Sequence, residues 1–334
     1  MKKTSKIAAI VMMLMLVLSM AGCGGSKTST TEPAAPAAPA EKTYKVGICQ
    51  LVQHDALDKS NQGFQDALKE LLGDKVEFDY QNASGDSPVC ATIANQFVAS
   101  EYDMIFAIAT PALQACANAT QTIPVLATAI TDFGVALDID MGMNDPTGIN
   151  VTGIVDLAPI DEQANQIVEL FPDVAKVALL YCSAEANSLF QVDAMTEALA
   201  EKGVEAQPYS FTDSNDIQAV TTAAVEYGDL IWIPTDNTAA SNGGIIANVS
   251  ANANVPIVAA EESLCKSVSG VATLSISFYD IGYETGKMAY EVLVNGVDPS
   301  TMNIQSPAAV TPMYIPEVAE TFGVEIPDNY EVLQ

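Results

Sequence analysis

The side chains of this chain that could do chemistry stand where apolar runs end. Gln53 and His54 follow Lys45–Leu51, and Asn82 and Ser84 follow Val76–Tyr80. Thr110 sits directly before Pro111, and Thr131 with Asp132 closes the next run. In the second half Ser183 and Asn187 follow Lys176–Cys182, Asp236 and Asn237 follow Leu230–Ile233, and Glu261 follows Val255–Ala259. Tyr279 and Asp280 end a last extended stretch from Ala272. These residue types suit holding a small polar molecule better than breaking its bonds. A single His restricts triads and metal sites, no GxGxxG follows the first strand, and no P-loop occurs. Glu261 and Glu262 could move protons, but neighbours on a strand end point apart. No enzyme activity, metal or cofactor is therefore expected. A hydroxyl before a proline at the first helical position marks a helix N-terminus, so Thr110-Pro111 could take a carboxylate or merely start a helix. Asp236 or Glu261 could meet an ammonium, and Asp236 could equally be an N-cap. His54 could touch a ligand or be solvated. Phe133 and Tyr279 are the expected aromatic walls, whereas Trp232, inside a strand, is expected in the core.

Such residues need a parallel sheet to align them, because ligands collect outside the carboxyl ends of its strands. Asp229–Glu262 supplies one: a buried strand, a polar turn, a small-residue helix and a second buried strand. Asp103–Thr131 repeats the plan, and counted from the leading Asp, Thr110 falls where Asp236 falls. KVGICQL at 45–51 and KVALLYC at 176–182 are a second repeated pair. Helices are expected over 57–72, from Pro88, over 160–171, over 189–202 ending at Gly203, over 217–225 and over 280–293. Residues 132–150 read as a loop, and 150–155 as an extended crossing. Alternation of strand and helix predicts two α/β lobes with right-handed crossovers, facing each other across a cleft.

The formal charge is -29, from 42 acids against 13 basic residues. All of the basic residues are Lys; there is no Arg. So acidic a chain is repelled by phosphate backbones, which argues against nucleic acid as a partner. Without Arg, no bidentate guanidinium clamp is available, so a bound anion must rely on backbone N–H groups, hydroxyls, amides or Lys. At the N-terminus Lys2, Lys3 and Lys6 precede the apolar run 7–18, and LSMAGC ends at Cys23. That is a secretory signal, too short to span a membrane. Residues 24–41 are Gly/Ser/Thr-rich, then Ala/Pro-rich, and cannot bury a core. Cys49, Cys90, Cys116, Cys182 and Cys265 are scattered without CxxC or metal spacing, which reads as structural.

Read together, VGICQLVQHDALD, YQNASGD, FAIATPALQA, NVTGIVD, LLYCSAEANS, IWIPTDN, VPIVAAEES and SFYDIGYETGKMA resemble the type I substrate-binding proteins of bacterial ABC importers, in the tryptophan- or tyrosine-uptake branch. They cover nearly all of 45–296 in order. LSMAGC resembles a lipobox with Met20 where Leu is usual, which implies a diacylglyceryl group on Cys23. The resemblance implies two Rossmann-like parallel-sheet lobes joined by a three-segment hinge and an amino acid, of the aromatic class, in the cleft. It also implies a permease with ATPase subunits as partner, and a lipid anchor on the outer face of the cytoplasmic membrane. The expected division is a signal at 1–22 and a linker at 23–43, with one lobe from 44–153 and 279–300. The other lobe takes 154–278 and 301–334. A sugar or neutral metabolite is the alternative ligand, and an adhesin or sensor the alternative role.

Overall fold

The computed structural model describes residues 42–334. The expected signal, the expected lipidation site at Cys23 and nearly all of the expected linker therefore lie outside the described residues. The first lobe opens β1 (Tyr44–Gln50), α1 (Asp55–Leu72), β2 (Val76–Asn82), α2 (Ser87–Ala99), β3 (Met104–Ile108) and α3 (Thr110–Ala119). It continues β4 (Val125–Ile130), α4 (Phe133–Leu137) and β5 (Val151–Val155). The five strands form a parallel sheet in the order β2-β1-β3-β4-β5. The second lobe runs α5 (Ile160–Leu170), β6 (Lys176–Cys182), α6 (Ala186–Glu201), β7 (Glu205–Phe211), α7 (Ile217–Tyr227) and β8 (Leu230–Ile233). Then come α8 (Asn237–Ser241), α9 (Gly243–Ala253), β9 (Ile257–Ala259), α10 (Glu262–Ser267) and β10 (Ala272–Ser275). Helix α11 (Phe278–Leu293) returns to the first lobe, and β11 (Thr311–Tyr314), α12 (Pro316–Phe322) and β12 (Glu331–Val332) finish the second. Its seven strands are ordered β12-β11-β10-β9-β8-β6-β7, parallel except for β10–β11.

The near-continuous burial of β1, β3, β4, β6 and β8 follows from helices covering both faces of each sheet. The two repeats are real in three dimensions. β3 pairs with β1 as β8 pairs with β6, and Thr110 opens α3 where Asp236 caps α8. Each lobe has its own apolar core: Phe64, Phe97 and Phe106 lie in the first, and Trp232 with Val192 and Met195 in one part of the second. Helix α11 reaches the first core by backbone-close packing on α1. A Cβ on Gly282 would stand 2.1 Å from the Ser60 carbonyl oxygen, and one on Gly63 2.1 Å from that of Tyr279.

Three links cross between lobes: β5 to α5, β10 to α11, and the segment leading to β11. Four expectations are corrected here. The loop at 132–150 contains α4, started by Asp132, whose carboxylate accepts from the Val135 N–H at 2.8 Å. The single helix expected after β8 is broken at Asn242, whose ψ of 18° leaves the helical region. The strand expected to run to Tyr279 stops at Ser275, because Ser277 accepts from the Asp280 N–H and starts α11. Finally, Ile304 packs in the first core and Gln305 exchanges hydrogen bonds with Gly153 and Val155 of β5. The third crossing thus falls after Gln305, not at residue 300. The five cysteines are buried and unpaired.

Candidate functional site

The carboxyl ends of both sheets enclose a cavity of about 20 Å³ lined by His54, Ala56, Leu57, Ala129, Asp156, Asn187, Thr235, Asp236, Asn237, Ala240, Glu261 and Phe278. Both lobes contribute, and Asn237 also lines a second cavity of about 240 Å³, together with Glu185 and Thr238 from the second lobe and Ser84 and Pro111 from the first. A larger cavity of about 420 Å³ lies at the hinge, beyond the end of β10, and one of about 810 Å³ lies between α5 and α12; neither is lined by strand ends of both sheets. At the first-lobe edge Ala109 has φ 82° and Ala129 has φ 57°. Non-glycine residues held there carry strain, which tends to collect at binding sites.

Three acids line the smaller cavity and are almost wholly buried: Asp156 at 5% exposure, Asp236 at 2% and Glu261 at 3%. Burial pushes each carboxyl up to about 7; the neighbouring charge of Glu185 adds to the rise at Asp236. No Lys lines this cavity. Their hydrogen bonds divide them. Asp236 caps α8 through the Ala239 N–H at 2.8 Å, and its other oxygen accepts from the Cys182 N–H at 2.6 Å and the Ser188 hydroxyl at 2.8 Å. Glu261 caps α10 through the N–H groups of Ser263 and Leu264. Asp156, at the end of β5, accepts only from the Thr131 hydroxyl, at 3.3 Å, among side-chain donors. Asp156 is therefore the carboxylate least committed to holding the fold.

Glu185 is a fourth buried acid, and it belongs to the local structure. It accepts from the N–H and side chain of Asn237 and of Thr238, at 2.6–3.1 Å. The donor side of the cavity is backbone. Helix α1 begins here, its first-turn residues Ala56 and Leu57 line the space, and no side chain caps it. An uncapped helix start offers free N–H groups and a positive dipole end to an anion.

Polar contacts bridge the lobes. His54 Nε2 lies 3.2 Å from Asn237 Oδ1, Gln191 Nε2 donates to Thr131 at 3.1 Å, and the Thr131 and Thr235 hydroxyls are 3.3 Å apart. Outside the cavity Lys59 of α1 pairs with Glu262 of α10 at 3.1 Å. Burial raises Glu262, but Lys266 and Lys59 outweigh it and hold the carboxyl below its ordinary range.

Of the residues expected from sequence, His54, Asn187, Asp236, Asn237 and Glu261 line one cavity, and Thr131 joins them through Thr235. The others lie elsewhere. Gln53 and Ser183 are exposed, Ser183 donating to the Phe211 carbonyl. Asn82 folds back on the Ser84 N–H at 2.7 Å, Asp132 is a cap, and Thr110 starts α3 without lining the cavity. Tyr279 and Asp280 face the hinge cavity, with the Tyr279 hydroxyl 3.4 Å from Asp66. The expected aromatic walls are corrected as well. Phe133 is 1% exposed and packs under β5, where a Cβ on Gly153 would come within 2.9 Å of its ring. Trp232 is in the core as expected, its indole N–H on Gln163 at 3.3 Å. Phe278 is the aromatic ring that lines the cavity. Sequence reading missed it, along with Asp156, Glu185, Gln191 and the start of α1. The Asp closing NVTGIVD, at the same strand-end position as the residues that were chosen, was the available signal for Asp156.

This two-lobed fold with a polar site between its sheets defines a solute-binding architecture. Residues 45–333 match the family model for ABC transporter substrate binding protein, and the chain belongs to that family. A protein of Clostridioides difficile (strain R20291) called "Tyrosine-binding protein" is 34% identical over 256 residues, 76% of this chain and 73% of that one. A Streptococcus pneumonia ABC domain in complex with L-Trp superposes with TM-score 0.82 at 32% identity, covering 86% of this chain and 97% of that chain. A ligand-free, open substrate-binding protein with adhesive properties from Clostridium difficile gives TM-score 0.67 at the same 32% identity, covering 87% and 99%.

Proposed function

We propose that this protein is the exported receptor of an ABC importer, without catalytic activity, that captures an amino acid with an aromatic side chain between its lobes. In this reading Cys23 carries the lipid that tethers it outside the cytoplasmic membrane, and a permease with its ATPase subunits receives the ligand. The observation that carries the reading is a cavity with three buried carboxylates, no Lys in its lining and an uncapped α1 start. Buried carboxylates without a counter-charge are costly. A ligand that brings an ammonium for Asp156 and a carboxylate for the Ala56 and Leu57 N–H groups satisfies both halves at once. Phe278 is the surface available to an aromatic ring. The ligand names attached to the two relatives at 34% and 32% identity support the aromatic class.

A cavity of about 20 Å³ has room for one water-sized group, not an amino acid. Loading therefore needs the lobes to part, and bound ligand favours closure through contacts made to both. The closer superposition on the L-Trp complex than on the open relative supports a closed arrangement here. A surface-binding role beside capture is a second reading, favoured by the adhesive relative.

A thermal-shift screen against the amino acids and common sugars tests the proposal. At a hundred times its dissociation constant a true ligand adds about 2.7 kcal/mol. Aromatic amino acids are expected to raise the melting temperature most. A screen in which no amino acid shifts the melt would sink the reading.

A further inference from the structure

His54 is the sole histidine, and its hydrogen bonds fix which nitrogen carries the proton. The Asn237 amide is oriented by Glu185, because Asn237 Nδ2 donates to the Glu185 carboxylate at 2.6 Å. Asn237 therefore turns Oδ1, an acceptor, toward His54 Nε2 at 3.2 Å. An acceptor opposite Nε2 requires the N–H there, so the neutral ring keeps its lone pair on Nδ1. That Nδ1 is buried and has no partner among the described residues. Asn187 presents the same situation. It is 5% exposed, its Nδ2 donates to the Thr235 carbonyl at 2.8 Å, and its Oδ1 is buried without a partner.

We infer that His54 Nδ1, Asn187 Oδ1 and the Asp156 carboxylate form a three-acceptor socket that selects a primary ammonium, and that a proton on His54 Nδ1 expels it. The inference rests on the amino-acid reading above. Three acceptors around a space of about 20 Å³ match the three N–H donors of a primary ammonium. A methylated amine leaves one buried acceptor unpaired, and sites built from hydrogen-bond partners reject analogues on that ground.

The proton sensitivity follows from what faces the ring. Burial is the largest influence on the ring and disfavours its charged form, against the Asn237 hydrogen bond and the charges of Glu185, Asp58 and Asp55. The cavity acids Asp156, Asp236 and Glu261 also face the ring and hold their protons up to about 7. Burial prevails and holds His54 below its ordinary 6.5, so the ring is neutral near pH 7. Acidification through that lowered value converts Nδ1 from acceptor to donor and places a positive charge against the ligand ammonium. Affinity is full above about pH 7, where Asp156 is ionised, and falls as pH drops, first as Asp156 takes up its proton and further as His54 does.

The test uses L-tryptophan, L-tyrosine and N-methyl-L-tryptophan, titrated calorimetrically into the exported chain and two variants. At about pH 8 the wild type is expected to bind N-methyl-L-tryptophan about tenfold or more weaker than L-tryptophan. His54→Gln keeps a donor toward Asn237 and lacks the Nδ1 acceptor; it is expected to bind L-tryptophan about tenfold weaker and to lose most of the discrimination. His54→Asn keeps an acceptor near Nδ1 and takes up no proton. Its affinity loss between about pH 8 and pH 5.5 is expected to be smaller than that of the wild type. Unchanged discrimination in His54→Gln, or an unchanged acid loss in His54→Asn, overturns the socket while leaving the amino-acid reading intact. Failure of the wild type to bind either free aromatic amino acid at any pH overturns both.

Discussion

At the scale of single residues, four buried acids of this cleft do different jobs, and their hydrogen bonds sort them. Asp236, by sequence either an N-cap or an ammonium partner, caps α8 and holds the Cys182 N–H and Ser188 as well. Losing it leaves those donors unpaired in the interior. Asp236→Ala is therefore expected to lower stability by about 2–4 kcal/mol, read as a lower melting temperature without ligand. Asp156→Asn should do the opposite. It removes a carboxyl that burial pushes up to about 7 and that has one side-chain donor. The unliganded variant is expected to melt higher at about pH 8, by roughly 2–4 °C per kcal/mol recovered, while amino-acid binding weakens at least tenfold. A variant that binds normally would remove Asp156 from the site.

At the scale of elements, the site depends on how closely α1 and α11 pack, because α1 brings its uncapped start and α11 brings Phe278. The glycines at the crossing set that distance. Gly282→Ala puts a methyl 2.1 Å from the Ser60 carbonyl oxygen, so one helix must shift. Overpacking of this kind costs about 1–3 kcal/mol, and both the melting temperature and ligand affinity are expected to fall together. The short helices tell a second story. α8 and α10 each begin at a buried carboxylate cap at a strand end. This is why Asp236 and Glu261 looked like ligand residues in the sequence: a cap and a binding acid occupy the same place in a βα turn.

At the scale of the whole molecule, protonation couples to folding. Asp156, Asp236 and Glu261 hold their protons up to about 7 in the folded chain and release them near 4 when unfolded. Between those values the native state binds more protons, so its stability rises as pH falls from about 7 and is lost as pH rises through it. Relief of the -29 charge acts in the same direction. A melting series is expected to show a maximum on the acid side of neutrality rather than above it. The Lys59–Glu262 pair is partly exposed and contributes little to stability. It does join the two lobes, so Lys59→Met is expected to leave the melt nearly unchanged and to raise the radius of gyration of the ligand-free protein in small-angle scattering.

The strands, the helices and the duplicated unit were legible in the chain because they depend on local periodicity. Apolar runs such as Ile231–Ile233 and Met104–Ile108 declare buried strands wherever they occur. Polar residues at their ends mark the side of the sheet where the inter-lobe cavity lies, and His54, Asn187 and Asn237 line it. What remained hidden was which polar atoms the fold itself consumes. That is settled by competition among hydrogen-bond partners far apart in sequence, as when Glu185 orients Asn237 and Asn237 in turn fixes the proton on His54. Only the assembled lobes decide that Asp236 and Glu261 serve as caps, that Phe133 lies under Gly153, and that Asp156 and the uncapped start of α1 line one cavity.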